Sequence, residues 1–298
     1  MAADTLSTEA FEAHRPVLTG VAYRMLGRYA DAEDVVQEAW LRWSAADRAD
    51  VVEPRAYLVR ITTRLAIDRL RQTGTRREAY VGPWLPEPVV TTFGPTVPDT
   101  AERALLADSV SLAVLVVLES LSPLERAVFV LREAFGFPFA EIATTLERSE
   151  SAVRQLAGRA RRHVEERRPR YDVDPVERRA LTERFLAAAG GGDLKELLAL
   201  LAPDVRLVGD SGGKAKAPRR VIEGADKVGR FLLATAGDAW LYDISLIEVN
   251  GAPAVLFKMD GKPDNVLQLE VVDGRVQRVH IIRNPDKLGG VSAEGRTL

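Results

Sequence analysis

No cysteine occurs among the 298 residues, which removes disulfides, thiolate metal sites and cysteine nucleophiles from consideration. Histidine is almost as scarce: His14, His163 and His280 offer no zinc-type ligand set. No apolar run approaches the roughly 18 residues a membrane-spanning helix needs; the longest is Leu112–Leu118. The opening Met1-Ala2-Ala3-Asp4-Thr5 has no basic n-region, so no signal peptide is read, and a cytoplasmic protein without a membrane partner is expected. Lysine is missing until Lys195, so every earlier cation is arginine. The planar arginine fork suits phosphate and base contacts, although a GC-rich codon supply would leave the same mark. The net charge of −2 argues for no polyanionic partner by itself, so local clustering carries the information.

What is present is a globular composition, 46% hydrophobic and 28% charged, in a chain long enough for two or three domains. Residues 1–72 read as helices: an amphipathic segment from Phe11 to Met25, then a helix capped by Asp31 with Val36, Trp40 and Trp43 at helical spacing. A third opens at Pro54, with Leu58, Ile61 and Leu65 on one side. Residues 73–99 contain Gly74, Gly82, Pro83, Pro86, Pro88, Gly94, Pro95 and Pro98, a density of breakers that predicts a linker. Its Trp84-Leu85-Pro86-Glu87-Pro88 is apolar enough to dock somewhere. Residues 100–170 form a second helical block. Residues 171–298 begin with helical periodicity and continue as strand-like runs separated by Asn250-Gly251, Asp260-Gly261 and Asp273-Gly274, which favour tight hairpins. Helices followed by a meander predict an α+β domain with a curved antiparallel sheet.

The strongest local signal is Phe139–Arg162. Phe139, Ile142, Ala143 and Leu146 mark the buried side of one short helix, Arg148-Ser149-Glu150 a turn with Ser149 as cap, and Val153, Leu156, Ala160 and Val164 the buried side of a second helix. Arg154, Gln155, Arg161 and Arg162 share the opposite face. This is the layout of a helix-turn-helix, whose second helix enters the major groove, where Arg reads guanine and Gln adenine. An ordinary helical hairpin with a solvated face has the same spacing. The preceding Ser122-Pro123-Leu124-Glu125 reads as a capping box, and residues 154–170 carry seven Arg against two Glu.

Two segments together resemble the bacterial extracytoplasmic-function (ECF) sigma factors. One is Asp31–Arg42 (DAEDVVQEAWLR) continued by Ala56–Arg71; the other runs from Leu121–Arg126 through Phe139–Ala143 to Ser151–Arg154. Trp84–Pro88, Asp210-Ser211-Gly212-Gly213-Lys214 and Asn284-Pro285-Asp286-Lys287-Leu288 further resemble the subgroup with a C-terminal SnoaL-like domain, although that subgroup more usually has Gly where Ser211 stands. The resemblance implies two all-α sigma domains, the second with the helix-turn-helix, followed by an α+β NTF2-like cone-shaped barrel. It implies domain 2 over 1–72, a linker over 73–99, domain 4 over 100–170 and the SnoaL-like domain over 171–298. The implied partners are promoter DNA and core RNA polymerase, through its β′ clamp helices and β flap. Asp31, Glu33, Asp34, Gln37 and Glu38 would bind the polymerase; without the family such a run reads as a solvated face. Arg60, Arg64, Arg69 and Arg71 would contact the −10 element, and Arg154, Gln155, Arg161 and Arg162 the −35 element. Trp43 and Tyr57 could stack on bases but read better as core. Trp84, Asp210, Gly212, Gly213, Lys214, Asn284, Pro285 and Asp286 are candidates for a regulatory contact between the last domain and the rest.

Rival readings remain. Gly209–Gly213 matches the pentapeptide around a serine-protease nucleophile, but no His and Asp stand in supporting context. Some SnoaL-like domains are cyclases or isomerases, for which Asp210, Asp243 and His280 are conceivable pocket residues, with Lys258 paired to a carboxylate. A cone that binds an unidentified small ligand without turning it over is a second reading. A helix-turn-helix repressor or activator acting without polymerase is a third, and it leaves residues 1–72 without a task. The favoured expectation is a sigma factor, not an enzyme, requiring no cofactor or metal and regulated in cis by its last domain.

Overall fold

The computed structural model describes residues 2–46, 51–92, 111–167 and 174–291. Part of the polar stretch after Ser44, the second half of the linker and the basic run beyond Arg167 lie outside the described residues.

Three helices form the first unit: α1 (Ala2–Leu26), α2 (Tyr29–Ala45) and α3 (Pro54–Glu78). Gly27 ends α1 at φ +71°, a conformation that favours glycine. Helix α2 starts earlier than expected. Arg28 occupies the cap position without a side-chain bond, and Asp31 falls in the first turn, where a carboxylate favours the helix dipole instead of capping it. Pro54 opens α3 as expected, but the helix continues through Gly74 to Glu78, so the linker begins later than the glycine suggested. One glycine costs a helix only about 1 kcal/mol, less than a long helix gains elsewhere.

The second helical unit contains α4 (Leu112–Leu118), α5 (Pro123–Phe129), a π-helical turn over Val130–Ala134, α6 (Phe139–Leu146) and α7 (Glu150–Arg167). The Ser122–Glu125 capping box forms in both directions. Glu147 leaves α6 in the left-handed region at φ 53°, and the Ser149 hydroxyl accepts from the Ala152 amide to start α7. Phe139 packs against the core as expected but is only half-buried, with Arg132 and Arg154 stacked on its ring, and Phe137 is the more deeply buried aromatic. The two helical units do not stand apart. One apolar core runs from Phe11 through Leu58 to Val128 and Val164.

The last unit packs α8 (Pro175–Gly190), α9 (Leu194–Leu200) and α10 (Ala225–Ala236) against a seven-stranded sheet. Helix α10 was not anticipated from the sequence. The strands are β1 (Val90–Thr92), β2 (Leu201–Asp210), β3 (Ile222–Glu223), β4 (Asp243–Val249), β5 (Ala252–Met259), β6 (Lys262–Val272) and β7 (Arg275–Ile282), in the order β1-β4-β5-β6-β7-β2-β3. At each of the three expected hairpins both turn residues have positive φ, from Asp273 at 50° to Gly261 at 72°. That is the twist-matched turn for adjacent antiparallel strands. The sheet is mixed rather than purely antiparallel, because β2 runs parallel to β7. Its edge strand β1 comes from the linker. One face packs on the helices through Phe185, Leu197, Leu207 and Val279; the other meets Leu85, Val90 and Leu112 of the linker and α4.

Candidate functional site

Helix α2 buries Ala32, Val35, Val36, Ala39 and Trp43, which turns Glu33, Asp34, Gln37 and Glu38 to solvent on one face. Leu41 continues that face and is 63% exposed, a large apolar side chain at the end of an acidic stripe. Sequence reasoning passed over it, although it stands four residues after Gln37. Asp31 is half-buried and differs from the others: Arg69 of α3 donates to Asp31 at 3.3 Å and to Asp34 at 2.9 Å. A cation assigned from the sequence to the −10 element thus pairs with two carboxylates assigned to the polymerase.

The remaining α3 arginines are not uniformly open. Arg60 stacks on Tyr57, Arg71 pairs with Asp68, and Arg64 reaches across to the helix-turn-helix. Its Nε donates to the Thr145 carbonyl at 3.0 Å, and a terminal nitrogen pairs with Glu147 at 2.9 Å. Arg55 lies over Phe137 beside them. A cleft of about 390 Å³ between the two units is lined by Val51–Glu53, Tyr57 and Arg60 on one side and Phe137, Ala140, Glu141 and Thr144 on the other. Trp43 is buried in the core, as expected, whereas Tyr57 is half-buried, packing on Trp43 at 5.8 Å from the wall of the cleft.

On α7, Val153, Ala157, Ala160 and Val164 are buried, while Arg154, Gln155, Arg161 and Arg162 are exposed. Arg154 pairs with Glu150 in the same helix and Arg161 with Glu133, both exposed pairs that solvent screens.

The three short motifs quoted from the linker and last domain meet at one place. Asp210, at the end of β2, has no exposed surface, and Lys287 is 1% exposed. The Lys287 ammonium donates to Asp210 Oδ2 at 2.6 Å and to the Leu85 carbonyl at 2.5 Å. The Leu85 amide donates to the same carboxylate oxygen at 2.7 Å, and the Tyr80 hydroxyl to Oδ1 at 2.5 Å. Asn284 donates to Tyr80 in turn. Burial, reinforced by the bond to Asp210, raises the Tyr80 pKa and keeps it a donor. The ammonium also lies 4.1 Å from the Trp84 ring, a desolvated cation–π contact. Gly212 and Gly213 both have positive φ; a Cβ on Gly212 would collide with Asn284, and one on Gly213 would press tightly on Val81. Ser211, the departure from the usual glycine, needs no such freedom; its hydroxyl accepts from the Gly213 amide. Lys214 pairs with Asp286 at the surface, and Pro285 is exposed. The ion pair's cation, Lys287, and the donor Tyr80 were not among the residues singled out from the sequence. Lys287 lay inside a quoted motif, but nothing local says that a lysine is buried.

The lock continues into the first helical unit. Trp84 covers Gly27, where a Cβ would come within 2.6 Å of the indole. The Glu87 carboxylate accepts from the Tyr29 amide at the start of α2, and the Tyr23 hydroxyl donates to the Glu87 carbonyl. Asn250 of the β4–β5 turn donates to Tyr23 and accepts from Val89. On the far side of Gly27, buried Arg126 of α5 donates to the Met25 carbonyl and pairs with Glu119 at 2.9 Å. Burial lowers the Arg126 pKa to about 10, still well above neutrality.

The residues proposed for an acid–base pocket do not converge. Asp210 is consumed by the lock, Asp243 is an exposed register partner of Lys258, and His280 is buried beside Val208 and Gln268 on the sheet face toward the linker. Its Nε2 has no hydrogen-bond partner among the described residues. Burial, aided by Arg278, pushes the His280 pKa down to about 4 from an ordinary 6.5. The folded chain therefore refuses a proton that the unfolded chain accepts. Stability is full above pH 6.5 and should fall by about 3 kcal/mol as pH drops from there towards 4. Urea unfolding of His280→Leu beside the parent chain checks this: the variant should lose that part of the acid dependence.

The chain thus joins a helix-turn-helix to a three-helix unit with an acidic outer face and ties both to an α+β sheet domain. Residues 10–76 match the Sigma-70 region 2 family and residues 111–164 the Sigma-70, region 4 family. The chain belongs to the ECF RNA polymerase sigma factors, which bind core RNA polymerase and direct it to promoters. It is 43% identical to ECF RNA polymerase sigma factor SigJ of Mycobacterium tuberculosis, over 94% of this chain and 92% of that one. Sigma factor SigG of the same organism is 34% identical, over 65% of this chain and 58% of its own. The crystal structure of Mycobacterium tuberculosis SigJ superposes with a TM-score of 0.75 at 40% identity, covering 94% of this chain and 97% of that one. Among the described residues no helix is long and apolar enough to cross a membrane.

Proposed function

We propose that the α2 face formed by Glu33, Asp34, Gln37 and Glu38, with Asp31 behind it, binds the β′ clamp helices, and that the second helical unit meets the β flap. In this reading Arg60, Arg64, Arg69 and Arg71 on α3 serve the −10 element, and Arg154, Gln155, Arg161 and Arg162 on α7 the −35 element. The last domain acts in cis as a regulator and turns over no substrate. One observation carries the regulatory part: the linker between the two DNA-reading units is bonded to the first of them through Tyr23 and Tyr29 and to the last domain through Asp210 and Lys287. Whatever loosens the last domain therefore loosens the hinge between those units.

The Arg64–Glu147 pair supports a second element of the reading. An arginine intended for DNA is held by the end of α6 and the turn of the helix-turn-helix, so part of the −10 surface is engaged within the chain in this pose. Promoter binding by the chain alone should be weak and should rise more than tenfold when core polymerase separates the units. Gel shifts with and without core test this. Glu147→Ala should raise core-free binding by up to about fivefold, in line with about 0.2–1 kcal/mol for an exposed pair, and leave core-bound affinity alone. Equal binding with and without core would defeat the reading and favour a polymerase-independent regulator.

A further inference from the structure

Most arginines of the last domain have a carboxylate partner: Arg179 with Glu183, Arg184 with Glu196, Arg206 with Glu223, Arg230 with Asp226, Arg278 with Glu270 and Arg283 with Asp264. The loop between β2 and β3 breaks that rule. From Ser211 to Ile222 it carries four cations and no acid. Lys214 is taken by Asp286. Lys216, Arg219 and Arg220 are exposed and have no ion-pair partner among the described residues.

The loop is not a loose excursion. Arg283 donates to the Lys216 carbonyl at 3.0 Å, the Lys214 amide donates to the Ser211 carbonyl, and Pro218 sits against Gly209. Its position is also informative. The Arg219 backbone runs beside Gly82 and Gly213 lies against Val81, a few residues after α3 ends at Glu78. Three uncompensated cations are thus presented next to the C-terminal end of the helix assigned to the −10 element.

We infer that Lys216, Arg219 and Arg220 form a further DNA-contact surface, on the last domain, that takes backbone phosphates next to the DNA held by α3. The inference rests on the proposed DNA-facing role of α3. The chemistry fits phosphate rather than bases: two guanidinium forks and an ammonium on an irregular loop can pair with successive phosphate oxygens, and nothing there is shaped to enter a groove. Such contacts add affinity without sequence preference and release counterions.

The test uses the full chain bound to core polymerase, titrated onto a promoter duplex and onto a scrambled duplex between 50 and 400 mM salt. The triple variant Lys216→Gln, Arg219→Gln, Arg220→Gln should flatten the slope of log affinity against log salt by about 2–3, at roughly 0.9 per phosphate. Binding near 0.1 M salt should weaken tenfold or more on both duplexes. Arg154→Ala, by contrast, should weaken binding to the promoter duplex and leave the scrambled one little changed. An unchanged slope in the triple variant, with Arg154→Ala still impaired, overturns the loop surface and leaves the sigma reading standing. A triple variant that loses affinity for core instead also overturns it, because the loop would then face protein. If neither variant changes binding, the DNA-facing assignment of α7 falls together with the inference.

Discussion

Lys287→Met should loosen the attachment of the last domain by about 3–5 kcal/mol, the cost of leaving a buried charge without its partner. Asp210 would keep the Tyr80 hydroxyl and the Leu85 amide as donors, but it has no exposed surface through which water could replace the ammonium. The Leu85 carbonyl would lose its donor as well, and Trp84 its cation. The measurements are denaturant unfolding and the rate of proteolysis in the linker around Gly82–Pro88. Asp210→Leu combined with Lys287→Met should recover only part of the loss: no unpaired charge stays buried, but the Leu85 amide and carbonyl and the Tyr80 hydroxyl lose partners. That double variant separates two effects that a single substitution confuses. If the lock acts in regulation, run-off transcription by core polymerase should change with Lys287→Met and stay changed in the partly restabilised double variant, which lacks the Tyr80 and Leu85 bonds to Asp210. Single variants as stable as the parent chain would show that the ion pair holds nothing together.

Charge reversal at Asp34 and Glu38 should weaken association with core polymerase by about ten- to a thousandfold, since two attractive contacts become two repulsive ones at a charged interface. The fold should barely notice. Both side chains are exposed, Arg69 retains Asp31, and Arg42 loses only an exposed pair worth under about 1 kcal/mol. Leu41→Ala should weaken the complex several-fold without changing its salt dependence, because an apolar anchor contributes by desolvation rather than by charge. Fluorescence titration of labelled chain with core at two salt concentrations distinguishes the two effects. Undiminished association of the charge-reversed chain would remove α2 from the interface.

Much of the architecture was legible in the sequence because it is local. Ser122 and Glu125 cap a helix through atoms three residues apart, and each hairpin follows from two residues that tolerate positive φ. The alternation of Ile142, Val153 and Val164 with exposed Arg154 and Gln155 needs only the helical repeat. Errors arose where local signals competed. Gly74 did not end α3, and Asp31 yielded the cap position to Arg28. Helix α10 was passed over although Ala225, Val228, Phe231 and Leu232 stand at helical spacing and pack on the core.

The sequence by itself determined three units, the acidic α2 face, the arginine face of α7 and three short motifs of a recognisable family. Only the tertiary structure decided that those motifs converge, that Lys287 rather than Lys214 is the buried cation, that the linker adds a strand to the last sheet, and that Arg64 is held by Glu147. The physical reason is sequence separation. Asp210, Lys287 and Leu85 are brought together by a mixed sheet and a docked linker, and the desolvation that makes their contacts strong exists only once the chain has closed around them.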